Sequence, residues 1–242
     1  MCRMAIVPSE LKADEAVTDL LLHLEDSMGG DGNGFSFYDA SSNTIKVVKG
    51  AKLKIEEGLP SIDAASNMFL FHSRKTSAGS TSDYNTQPFA INEKQTALCH
   101  NGTWSKYSDF KAALFCQGVL TADEYSDMSD THTLAKMIDL PNVGLKALNL
   151  PESGVFILFK KDYADIYVKS GDWQAYKRKD GMYLYASEFP NDKYPNIFDF
   201  KSGSIIRAWR DKFKIIKGGV TYEKNTTYTY NVHRRDRTYT RL

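Results

Sequence analysis

Gly154-Val155-Phe156-Ile157-Leu158-Phe159-Lys160 is an apolar run, Lys161-Asp162-Tyr163 reads as a turn, and Ala164-Asp165-Ile166-Tyr167-Val168-Lys169 is a second run. Three intervening residues leave no room for a crossover helix, so these two strands pair antiparallel. Working outward, Met182–Ser187 and Ser204–Trp209 continue the strand-rich half. Upstream lie Phe35–Tyr38, Thr44–Val48, Asn67–Ser73 and Thr96–Cys99, with Ala40-Ser41-Ser42-Asn43 as a turn between the first two. A helix is expected from Pro8-Ser9 to about Ser27, with Ser9 as its cap and Val17, Leu20, Leu21 and Leu24 on one face. Ser105–Cys116 and Thr131–Leu140 read as two more helices, the second after a Ser-Asp-Thr start. Strands without alternating helices imply antiparallel sheets, and the few helices must cover them. The expected class is therefore α+β, with helices packed on a stack of two sheets.

Composition narrows the function classes. The chain has 242 residues, enough for a sizeable core. Lys plus Arg is 31 against 30 for Asp plus Glu, so a general nucleic-acid-coating surface is not implied. No apolar run approaches the roughly 20 residues of a membrane helix, and acids and lysines interrupt the N-terminus from Glu10 onward, unlike a secretory signal. Cys2, Cys99 and Cys116 form no closed disulfide set, which points to a reducing, cytoplasmic setting. Cys99 and Cys116 read as core thiols.

Several motif classes fail. Gly29-Gly30-Asp31-Gly32-Asn33-Gly34 follows a helix and lacks Gly-Lys-Ser/Thr, so it is neither a phosphate loop nor a dinucleotide fingerprint. Cys-x-x-Cys, His-x-x-x-His and Gly-x-Ser-x-Gly are all missing, so no metal and no cofactor is expected. Cys2 is more informative. Initiator methionine is usually removed before a small residue, which places a thiol and a free α-amine on one residue. With reference pKa values of about 8.5 and about 7.7–8.0, that residue is its own nucleophile–base pair.

Around Cys2 stand, in order, Met1-Cys2-Arg3, Asp31-Gly32-Asn33-Gly34, Phe71-His72-Ser73-Arg74-Lys75-Thr76-Ser77-Ala78-Gly79, Asn85-Thr86-Gln87-Pro88-Phe89, Leu98-Cys99-His100-Asn101-Gly102 and Ser129-Asp130-Thr131. In this order the motifs resemble the class II glutamine amidotransferase family, of N-terminal-nucleophile hydrolases, in its compact stand-alone form. The likeness spans Cys2 to about Asp139 and extends weakly to Tyr185-Ala186-Ser187-Glu188. It implies a four-layer α/β/β/α sandwich of antiparallel sheets. It also implies that Cys2 attacks the side-chain amide of L-glutamine, giving glutamate and ammonia. The Asn101 side chain and the Gly102 N–H match the oxyanion donors, Arg74 the clamp on the α-carboxylate, and Asp130 the partner of the α-ammonium. Asp31 and Gly32 match the loop beside the nucleophile, Gly30 or its neighbours could orient the terminal amine, and Ser77 stands where threonine is usual. Lys75 replaces an aromatic residue and His132 an acidic one.

Plainer readings stand beside these. Arg74 is also a candidate surface cation, Asn101-Gly102 a hairpin turn, Asp130 a helix N-cap, and His72 and His100 structural hydrogen-bonders. Residues 2–215 are expected to form the amidotransferase domain. Residues 216–242 form a Thr/Tyr-rich basic tail or edge strand, leaving the ammonia acceptor to a separate synthase. The alternatives are a hydrolase of another γ-glutamyl amide, or a non-catalytic module touching a partner or nucleic acid.

Overall fold

The computed structural model describes residues 2–63, 65–190, 193–224, 226–230 and 238–239. In chain order the elements are β1 (Arg3–Pro8), α1 (Glu15–Met28), β2 (Asn33–Asp39), β3 (Thr44–Gly50), α2 (Ile55–Gly58), β4 (Met68–Ser73), β5 (Phe89–Ile91) and β6 (Thr96–Asn101). Then come α3 (Tyr107–Cys116), α4 (Ala122–Asp127), α5 (Asp130–Ile138), β7 (Val155–Phe159), β8 (Ala164–Val168), β9 (Gln174–Lys177) and β10 (Tyr183–Ala186). The chain continues through β11 (Ile197–Phe200), β12 (Ser204–Ala208), β13 (Phe213–Lys217), β14 (Val220–Lys224), β15 (Thr226–Tyr230) and β16 (Thr238–Tyr239).

The strands form two antiparallel sheets. One runs β15-β14-β11-β9-β10-β1-β4-β2-β3 and the other β16-β13-β12-β8-β7-β6-β5. Side-chain alternation builds the layers. Met4 and Ile6 of β1 meet Ala97 and Cys99 of β6 and Val155, Ile157 and Phe159 of β7 in the core between the sheets. Ala5 and Val7 face the other way, onto Val17, Leu20, Leu21 and Leu24 of α1. Leu98 of β6 and Phe156 and Leu158 of β7 face Leu114 of α3 and Leu134 and Ile138 of α5. This is the expected α/β/β/α stack. Among the described residues, no helix is long and apolar enough to cross a membrane. The Thr226–Tyr230 segment is an edge strand, while His233–Arg237 lies outside the described residues.

The structure corrects local expectations. Ser9 opens only a three-residue 3-10 turn, and α1 begins at Glu15. Its cap is Asp14, whose extended backbone lets the carboxylate accept from the Ala16 N–H at 2.9 Å. Ser9 is buried with an unpartnered hydroxyl. Likewise Ser129, not Asp130, caps α5 through the His132 N–H. Cys116 is exposed at the end of α3, which turns Leu114 inward instead. Asn101 is no hairpin turn, because it ends β6 and pairs with Val155, far along the chain.

Asp14→Ala is expected to lower stability by about 1–2 kcal/mol, since it loses both a cap and the 2.9 Å ion pair to Arg178. Ser9→Ala is expected to be neutral or slightly stabilising. Urea unfolding of both variants checks the assignment.

Candidate functional site

The register of β1 against β4 assembles the first half of the site. Arg3 faces Ser73 and Met4 faces His72, so one further step brings Cys2 opposite Arg74. The backbone confirms the step, since the Lys75 N–H donates to Cys2 Sγ at 3.4 Å. On the far side of β4 the ladder to β2 runs out into the glycine-rich loop. There Arg74 N–H donates to Gly32 O at 2.8 Å and Asp31 N–H to Arg74 O at 2.9 Å. The Asp31 carboxylate then accepts from the Thr76 N–H at 2.8 Å, with Lys75 Nζ at 3.7 Å. That backbone bond and the nearby ammonium hold Asp31 below the usual carboxylate range. Gly30 has φ +93°, and its N–H donates to Ser73 Oγ at 3.1 Å.

Cys2 is 6% exposed and Arg74 is 3% exposed, so the surface-cation reading of Arg74 falls. Burial pushes the Cys2 thiol up; the Lys75 N–H and the Arg74 charge oppose this. Arg74 is held by its own loop. Its Nη1 donates to Ser80 O at 2.6 Å and its Nη2 to Ala78 O at 2.7 Å. Asp127 fastens that loop. Its carboxylate accepts from Ser80 N–H and Ser80 Oγ at 2.8 Å each and from Asn85 Nδ2 at 3.2 Å.

The second sheet supplies the other half. Asn101 ends β6, two residues beyond Cys99, on the face that looks across at β1. It is buried, and its Oδ1 has no hydrogen-bond partner. Gly102 follows, and a Cβ there would lie 2.5 Å from His100 Nε2, so only glycine fits. Asp130 is buried at the start of α5, where its carboxylate accepts from Trp104 N–H at 2.9 Å and Thr131 N–H at 2.7 Å.

The structure thus brings Cys2, Arg74, Asp31 and Asp130 within electrostatic reach of one another, ties Gly30 to Ser73 beside Arg74, and sets Asn101 and Gly102 in one cleft with Arg3, the neighbour of Cys2. Ser77 is exposed on the loop beyond, and the hydrogen bond of that stretch comes from Thr76. His100 is a hydrogen-bonder, with Nδ1 3.2 Å from Thr131 Oγ1. His72 is buried beside the His100 backbone, which it meets in a weak hydrogen bond, and burial lowers its pKa to about 3, so it is neutral. Asp127 escaped the sequence reading, and Gln87 stood in a quoted motif without a role. Gln87 Oε1 accepts from His100 N–H at 2.7 Å, and its Nε2 donates to His100 O at 3.2 Å. The uninterrupted polar run Asn85-Thr86-Gln87, buried throughout, was the available signal. Among the described residues, no cluster of His, Cys, Asp and Glu could hold a metal ion.

Residues 23–124 match the family described as glutamine amidotransferases class-II. A glutamine–fructose-6-phosphate aminotransferase of Fusobacterium nucleatum is 28% identical over 159 residues, 62% of this chain and 26% of that protein. An uncharacterized protein of Methanocaldococcus jannaschii is 36% identical over 88 residues, 34% of this chain and 24% of that protein. The chain spans about a quarter of the length of these curated relatives. The glutamine phosphoribosylpyrophosphate amidotransferase of B. subtilis, solved with ADP and GMP, superposes with a TM-score of 0.62. It shares 18% identity and covers 95% of this chain and 50% of its own. A glutamine aminotransferase class-II domain protein of Silicibacter pomeroyi superposes with a TM-score of 0.53. It shares 12% identity and covers 93% of this chain and 99% of its own.

Burial makes Cys2 a slow nucleophile on its own. Iodoacetamide labelling followed by peptide mapping is expected to modify exposed Cys116 first. Labelling of Cys2 is expected to be slow at pH 7 and still rising above pH 9. Labelling of Cys2 that levels off below pH 7 contradicts the assigned environment.

Proposed function

We propose that this chain, which carries a class II glutamine amidotransferase-like domain, hydrolyses the side-chain amide of L-glutamine to glutamate and ammonia, with Cys2 as nucleophile. One observation carries the reading. The β1–β4 register sets Cys2 beside a buried arginine on one sheet, while Asn101 and Gly102 arrive from the other.

The reaction follows from these positions once Met1 is removed. The α-amine of Cys2 takes the thiol proton, which offsets the upward push of burial on the thiol. Sγ attacks the amide carbon, and charge develops on the amide oxygen. Asn101 Nδ2 and the Gly102 N–H stabilise that charge, each donor contributing about 2.7–4 kcal/mol to lowering the barrier. The C–N bond breaks, the stored proton goes to nitrogen, and ammonia leaves a thioester. Water then attacks the thioester, releasing glutamate and restoring the thiol. At the other end of the substrate, Arg74 forks the α-carboxylate and Asp130 takes the α-ammonium. The ammonia passes to a separate synthase that activates its acceptor.

The test is glutamate release from L-glutamine by protein whose N-terminal mass shows loss of Met1. Cys2→Ala is expected to abolish release, and Asn101→Ala to lower kcat about 10²–10³-fold. Arg74→Lys is expected to act mainly on KM, because an ammonium cannot fork a carboxylate. Unchanged release in Cys2→Ala overturns the reading.

A further inference from the structure

The ladder between β5 and β6 ends short of the site. Phe89 faces Leu98, so continuing the register puts Gln87 opposite His100. There the backbone pairing stops and the Gln87 side chain takes over. Its Oε1 accepts from the His100 N–H at 2.7 Å, and its Nε2 donates to His100 O at 3.2 Å. A side-chain amide presents a donor and an acceptor side by side, as a backbone residue does, so it stands in for the missing strand partner. On the other flank of β6 the ladder to β7 runs on, with His100 facing Phe156 and Asn101 facing Val155. Gln87 therefore supports the end of β6 on the flank that β5 has left.

The same amide reaches α5, where Nε2 also donates to Thr131 Oγ1 at 3.2 Å. The Thr131 N–H donates to one oxygen of the Asp130 carboxylate at 2.7 Å, and the Trp104 N–H to the other at 2.9 Å. These bonds close a circuit. It runs from Gln87 to His100, along the chain through Asn101 and Gly102 to Trp104, across to Asp130 and Thr131, and back to Gln87. The His100 ring stiffens it. That ring lies parallel to Phe156 with centroids 4.2 Å apart, its Nδ1 is 3.2 Å from Thr131 Oγ1, and its Nε2 leaves no room for a Cβ at Gly102. Gln87, His100, Asp130 and Thr131 are all buried, so water does not readily replace a bond lost from the circuit.

We infer that Gln87 is a positioning residue, whose amide clips the end of β6 to the start of α5 and so fixes Asn101 and Gly102 relative to Asp130. The inference rests on the function proposed above and deepens it. In that reading Asn101 and Gly102 serve the amide end of the substrate and Asp130 its α-ammonium, so the clip sets the spacing between the groups that meet the two ends. The bonds that hold Arg74, to Ala78 O and Ser80 O, lie outside the circuit. Without the clip the substrate head still docks on Arg74 while its amide oxygen misses the donors. A misplacement of about 1 Å at the reacting end costs about 10²-fold, so loss of Gln87 acts on kcat more than on KM.

The experiment measures glutamate release from L-glutamine by the full chain lacking Met1. Gln87→Met keeps the length of the side chain and removes the amide. It is expected to lower kcat about 10–100-fold with KM within about threefold. In an Asn101→Ala background the same substitution is expected to cost less than about fivefold, because the main group that it positions is already gone. Thr131→Val breaks the other end of the clip and is expected to lower kcat about 5–15-fold, with Thr131→Ser recovering most of that loss. The Thr131 pair carries the test if Gln87→Met does not fold. A Gln87→Met kcat within about twofold of wild type overturns the positioning role. So does an equal loss with and without Asn101, and so does equal activity of Thr131→Val and Thr131→Ser. Each of these outcomes leaves release by the wild type, and with it the proposed function, standing. A wild type that releases no glutamate overturns the proposed function and this inference together.

Discussion

Everything at the site depends on the register between β1 and β4. Side chains alternate along a strand, so a slip of one residue in this ladder turns Cys2 and Met4 away from the inter-sheet core and Arg3 and Ala5 into it. The register is held from both faces at once. Met4 and Ile6 are locked into the central core, while Ala5 and Val7 are locked under α1. On the other flank β10 adds a second ladder, Ala5 facing Ala186 and Ile6 facing Tyr185. Cys2, one residue before β1, is thereby given the positional definition of a residue in the middle of a sheet.

The two-sheet stack also separates tasks. One sheet carries Cys2 and Arg74 at the ends of β1 and β4, and the other carries Asn101 and Gly102 at the end of β6. The site can form only when both sheets are packed, because Asn101 belongs to neither the ladder nor the loops that hold Cys2. Burial has a cost there. The Asn101 Oδ1 lacks a partner, and such an unsatisfied group costs about 1–3 kcal/mol. The large apolar inter-sheet core offsets that cost.

Much of this was legible in the sequence where local chemistry carries the signal. The 155–168 hairpin and the apolar face of α1 needed only spacing and residue type, whereas the site motifs gain their meaning from the resemblance to a known family. What stayed hidden was non-local. Nothing near Arg3–Pro8 says that Tyr183–Ala186, far along the chain, becomes its neighbour. Short strands such as Phe89–Ile91, Gln174–Lys177 and Ile197–Phe200 carry too few residues to show a period. Ser9 and Asp14 are both acceptable caps by type, and only the 3-10 turn between them decides for Asp14. Asp127 looks like any acid at the end of a helix until the loop that it fastens is folded against it.

The two carbonyl bonds on Arg74 have an entropic consequence. An arginine side chain has about 2 kcal/mol of rotamer freedom, and here folding has already removed it, because Ala78 O and Ser80 O fix the plane of the guanidinium. Each terminal nitrogen still has a second proton, so the fork is rigid without being used up. Under the proposed function, an arriving α-amino acid would meet an immobile partner and forfeit little disorder in binding. Affinity for the substrate head would then be set partly by residues 78–80 and Asp127, which need never touch it.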